Sequence, residues 1–200
     1  MDKGVFLKLV SFGDELIAGD KAPKILADML GFEFVDRAKK ETSNQTIFRD
    51  VIDYITNNND DCFILIGWTL GNQREITWND QTFIYNENKT DYKDNHVNRL
   101  HKYDDILFDK LLVAQHRASE AYTLQNVLEN KKIKYYMYNT QDCIFFHEKT
   151  LKYLKALNGR TYHNPLNKES SMKFFVEKQN NNNHHQVWAD FLHSKIEVPQ

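Results

Sequence analysis

The chain has 200 residues, 41% hydrophobic and 27% charged, an ordinary globular balance with enough apolar material for one full core. A formal net charge of −2 excludes any global electrostatic drive toward nucleic acid or an anionic membrane. Its two cysteines, Cys62 and Cys143, are too few for a disulfide scaffold, lack metal-ligand spacing and suit a reducing compartment.

In chain order, Met1-Asp2-Lys3-Gly4 is followed by no leader-like apolar region or cleavage site, so no secretory signal is expected. Val5 to Phe12, bounded by Gly4 and Gly13, reads as a short buried strand. Asp20 is placed to cap a helix from Lys21 to Leu30, with Pro23 tolerated in its first turn and Gly31 as its C′ residue. Phe32 to Ala38 is a second strand. Ser43 or Asn44 caps an amphipathic helix with Ile47, Phe48, Val51, Ile52 and Ile55 on one face. After a polar turn at 57–61, "CFILIGW" (Cys62 to Trp68) is continuously apolar, the mark of a strand covered on both faces.

The next part is less regular. "REITWND" and "QTFIYNE" form either a small hairpin or an extended excursion, and Asn86 to Arg99 is a polar loop. A long helix spans about Asp105 to Lys131, with Leu107, Phe108, Leu111, Ala114, Ala118, Ala121 and Leu128 facing in. The basic run Lys131-Lys132-Ile133-Lys134 reads as a solvated helix end complementing the macrodipole. Ile133 to Asn139 is a further strand; Glu169 to Lys178 and His184 to Ile196 are two closing helices. No apolar stretch approaches bilayer length. Strands alternating with helices predict an α/β fold, a three-layer α/β/α sandwich around a mostly parallel, flavodoxin-like sheet. A single domain over 1–200 is expected, with an irregular excursion at 70–100 and an Asn-rich loop at 180–183.

In open parallel sheets, ligands bind beyond the carboxyl ends of the strands. Those positions carry Gly13-Asp14-Glu15, Glu41-Thr42-Ser43-Asn44 and Gly67-Trp68-Thr69, and a helix starting near His184-His185 would bring imidazoles to the same rim. Here the chain resembles the SGNH/GDSL hydrolases, in particular small SGNH-like proteins of tailed phages. "SFGDE" is similar to that family's first block, S-F-G-D-S, and "ETSNQTIFRDVIDYI" to the second, in which G-x-S-N opens a helix. "FILIGWTLGNQRE" is similar to the third, and "HHQVWADFL" to the closing helix. The resemblance spans nearly the whole chain. It implies the SGNH-type fold, an ester or acetylated-carbohydrate substrate class, and a viral setting in the infected cell's cytoplasm or the virion.

The same resemblance exposes departures. The position of the family's nucleophilic serine is Glu15, the second-block glycine is Glu41, and the third-block asparagine corresponds to Thr69. Asn44 falls at an oxyanion-hole position. Counting back from Ala189, the catalytic histidine's place is Gln179; a shorter loop would hand the role to His184 or His185. Neither has the family's aspartate three residues earlier, where Asn181 and Asn182 stand. Carboxylate attack on an ester would give an anhydride, and an ionised Glu15 would repel the developing oxyanion. The expectation is therefore a degenerate hydrolase acting as a binding or structural module. The alternative is a working hydrolase in which Glu15 and His184 or His185 share acid–base work.

Other residues have simpler readings. Asp14 can hold the turn through backbone amides, and Arg74 with Glu75 either meets an anionic ligand or forms a surface pair. Gly13, Asp14, Ser43, Asn44, Thr69 and Arg74 are the candidate ligand-binding set. His184 and His185 point about 100° apart on a helix and cannot share a metal, so no metal or other cofactor is expected. His116 and His147 read as half-buried, and Trp68, Trp78, Trp188, Tyr135, Tyr136 and Tyr138 as mostly core. A protein or carbohydrate partner fits these features better than a membrane or nucleic acid.

Overall fold

The computed structural model describes residues 7–13, 21–40, 42–69, 73–78, 81–86, 110–139, 162–163 and 184–196. Five strands build the main sheet: β1 (Lys8–Phe12), β2 (Glu33–Asp36), β3 (Cys62–Trp68), β6 (Lys134–Asn139) and β7 (Tyr162–His163). Their order is β2-β1-β3-β6-β7 and every neighbouring pair is parallel. Numbered within the sheet this is the 2-1-3-4-5 order of flavodoxin-like proteins. The strand β3 lies between β1 and β6, with Phe12 opposite Ile66 and Gly67 opposite Tyr138. It is buried at every position after Cys62, which is why its sequence does not alternate.

Helices cover both faces. On one side α2 (Asn44–Asn57) and α3 (Lys110–Asn130) enclose a core that includes Val10, Ile47, Val51, Ile64, Leu124 and Met137. On the other, α1 (Ala22–Leu30) and α4 (His184–Lys195) enclose Leu9, Leu26, Leu65, Tyr138, Trp188 and Leu192. Successive strand residues thus feed opposite cores, Leu9 and Val10 among them, as the pleat requires. Separate from this sheet, β4 (Gln73–Trp78) and β5 (Gln81–Asn86) pair antiparallel, with Trp78 opposite Gln81. The hairpin alternative for this stretch is the observed one.

Two helices end in the same way with different residues. At the end of α1 the Phe32 amide donates to the Ala27 carbonyl and the Gly31 amide to Asp28. At the end of α3 the Ile133 amide donates to Leu128 and the Lys132 amide to Glu129. Both are six-to-one, five-to-two closures that need a left-handed residue at C′. Gly31 (φ 68°) supplies it freely, whereas at α3 the position is held by Lys132 (φ 58°), the described non-glycine residue with positive φ.

Several expectations are corrected. Helix α1 starts at Ala22 behind Lys21, which makes no side-chain cap; Asp20 lies outside the described residues. Strand β2 is shorter than 32–38 because the Asp36 carboxylate turns back to accept from the Ala38 amide at 2.9 Å. Of the two residues offered as the cap of α2, Ser43 is the one that caps it. His116 is exposed rather than half-buried. The strand β7 was not anticipated, since two residues carry no periodicity. Val5, Phe6, residues 87–109, Cys143, His147 and the predicted helix 169–178 lie outside the described residues.

Candidate functional site

The tips of β1 and β3 and the start of α2 converge. Gly13 leaves β1 buried, its carbonyl accepting from the Lys39 amide at 3.0 Å, which extends the β1–β2 pairing past the strand ends. Ser43 is fully buried, and its Oγ accepts from the Thr46 amide at 3.1 Å. It satisfies one of the orphan donors of the first turn. Asn44, the first helical residue, reaches across to the end of β3. Its Oδ1 accepts from the Thr69 amide at 2.8 Å and its Nδ2 donates to the Thr69 carbonyl at 3.2 Å. The side-chain amide therefore pairs with both polar groups of one residue's main chain, as a neighbouring strand would. Asn44 is 3% and Thr69 1% exposed, so these bonds are shielded from water.

Among the described residues of this cluster, two hydroxyls lack partners. Thr42 Oγ1 and Thr69 Oγ1 are buried without a hydrogen bond. Buried polar groups are nearly always paired, and each exception calls for an explanation such as an unseen ligand group.

Beside the rim, Glu75 of β4 is drawn onto α2. Its carboxylate takes a two-pronged contact from Arg49, at 2.6 and 2.5 Å, and a hydrogen bond from the Thr46 hydroxyl. Its amide donates to Gln45 Oε1 at 3.3 Å. Burial works to raise the Glu75 carboxyl, but hydrogen bonds from Arg49, Thr46 and Ser43 outweigh it and hold it below the usual carboxylate range. Among the described residues, Glu75 pairs with Arg49. Glu120 of α3 feels the same charges. Burial pushes its carboxyl up to about 7, with Arg117 and Arg49 opposing and Glu75 adding to the rise.

Asp14 and Glu15 lie outside the described residues, as do the side chains of Arg74 and His184. His185 is half-buried at the start of α4. That helix belongs to the α1 layer: Trp188 meets Tyr138 edge-on at 5.2 Å, and Gln186 Nε2 lies 3.8 Å from Met29 Sδ. Ser43 and Asn44 head a helix of the opposite layer, so the two sets are on one side of the sheet each. Among the described residues no group of three or more His, Cys, Asp or Glu side chains gathers as a metal site. No helix among them is long and apolar enough to cross a membrane. Thr42 belongs to the rim stretch 41–44 that the sequence points to, whereas the Arg49 clamp joins residues 26 positions apart and carries no local signal.

No protein-family model and no curated protein matches the chain. Among solved structures it is similar to a candidate lipolytic protein of the G-D-S-L family from Desulfitobacterium hafniense DCB-2, at a TM-score of 0.46 and 8% identity. The alignment covers 94% of this chain and 99% of that one.

Proposed function

We propose that this chain is a single-domain SGNH/GDSL-like protein whose nucleophile position holds Glu15, and that it works as a binding or structural module in a tailed-phage setting. The observation that carries this reading is the Asn44–Thr69 pairing. The asparagine at the family's oxyanion-hole position has both amide heteroatoms engaged with the main chain, and Ser43 is engaged as a cap. Both residues are thus accounted for without a substrate. Thr42 and Thr69 supply the contrary pull toward a ligand, since their buried hydroxyls await a polar group. A protein or carbohydrate group offering hydroxyls or amides suits them, and Gly13, Asp14 and Arg74 border the same rim in the sequence-based reading. Catalysis would need Glu15 to do what serine does elsewhere. Loss of the nucleophile alone lowers turnover in such triads on the order of a millionfold, leaving roughly a thousand- to ten-thousandfold over water.

The test is hydrolysis of a short-chain nitrophenyl ester by the unmodified chain, Glu15→Gln and Glu15→Ser. The expected result is no turnover by the unmodified chain that depends on Glu15. Turnover abolished by Glu15→Gln, and by removal of His184 or His185, would instead establish an active Glu15/His hydrolase.

A further inference from the structure

At the end of the sheet remote from Thr69 lies a cavity of about 360 Å³, within the range of small-molecule sites. Two connections line it. The α3–β6 link contributes Lys131 and Lys132, and Lys134 opens β6 beside them; the α2–β3 link contributes Asn59, Asp60 and Asp61. Leu7, Ile55 and Ile133, less exposed than the charged residues, complete an apolar part of its lining. Asp60 is paired with Lys8 at 2.7 Å. Among the described residues no carboxylate forms a salt bridge with Lys131, Lys132 or Lys134. Three cations therefore face one unpaired carboxylate, Asp61, across the cavity.

Lys132 adds an independent observation. It occupies a left-handed C′ position where α1 uses Gly31, and a side chain there costs backbone energy that glycine avoids. A lysine that only solvated the end of α3 could sit one residue away without that cost. Thiol chemistry does not explain the cavity, because burial first, and then Asp60 and Asp61, push the Cys62 thiol up to about 11.

We infer that this cavity is a binding site for a phosphorylated polyol such as a sugar phosphate. The phosphate dianion would lie among the Lys131, Lys132 and Lys134 ammonium groups, and the hydroxyls would donate to Asp61 and exchange hydrogen bonds with the Asn59 amide. Lysines bind phosphate as point charges, which suits a cavity whose cations come from a turn rather than a rigid fork. The site does not depend on the rim or on Glu15.

Amide NMR titrations with glucose 6-phosphate, inorganic phosphate and glucose, at constant ionic strength, test this. Glucose 6-phosphate is expected to shift the amides of 59–62 and 131–134 saturably and to bind more tightly than either of the other two. Lys132→Gly and Lys134→Gln are each expected to weaken binding about tenfold. Lys132→Gly should at the same time raise thermal stability, so lost binding cannot be ascribed to lost folding. Absence of saturable shifts at these amides with millimolar glucose 6-phosphate would overturn the inference. Unchanged affinity in both variants would do so too, and equal affinity for phosphate and glucose 6-phosphate would remove the polyol.

Discussion

Asn44 does with a side chain what a peptide group does in a strand, and its removal leaves a specific debt. In Asn44→Ala the Thr69 amide and carbonyl lose both partners in a site closed to water. A cost of about 2 to 3 kcal/mol in urea unfolding is expected; Asn44→Asp keeps the acceptor but not the donor and should not restore stability. Lys132→Gly works in the other direction, gaining about 1 kcal/mol by relieving a left-handed side chain. Glu120 makes stability depend on pH. Its carboxyl titrates near 7 when folded and from 4.5 when unfolded, so across that window the unfolded chain binds fewer protons and stability falls as pH rises. Glu120→Gln is therefore expected to gain about 2 kcal/mol at pH 8, after allowance for solvent screening, and nothing at pH 4.

At the scale of elements, the β4–β5 hairpin is tied to α2 through Glu75. The Arg49 side chain is 54% exposed, so the pair contributes about 1 kcal/mol or less to global stability. Its effect should be local. In Arg49→Met, amide exchange across 73–86 is expected to quicken while the exchange of β3 stays unchanged. Because the Glu75 carboxyl is depressed, the tie holds above the ordinary carboxylate range and loosens as pH falls through the lowered value. Elements with a strong local signature were legible in the sequence: Cys62–Trp68 is a seven-residue apolar run and forms a strand with those bounds. The helix after Ser43 was legible too, from a cap followed by an apolar stripe. What escaped is non-local. Among the described residues no side chain caps α1, and β7 has only two residues.

For the whole molecule, strand–helix alternation was sufficient to anticipate a parallel sheet covered on both faces. It also placed Gly13 and Thr69 directly after strands, and Ser43 and Asn44 at the helix start that follows β2. It could not say that Asn44 and Thr69 bond to each other, since that depends on how α2 docks. The α4 layer offers the broadest test of the architecture. Trp188 stands between Tyr138 and Phe191, its ring 5.2 and 5.1 Å from theirs. Trp188→Ala is expected to cost about 3 to 5 kcal/mol of unfolding free energy.

The pairing of β3 with β6 has a consequence for synthesis on the ribosome. The strands β1, β2 and β3 are joined by short crossovers and can associate as they emerge, but β6 follows only after the hairpin and α3. In that interval Phe63 to Trp68 presents an uncovered row of backbone donors and acceptors on an apolar ribbon, the kind of edge that recruits strands from other chains. A nascent chain stalled before α3 should therefore need a holding chaperone, and one released after Asn139 should not.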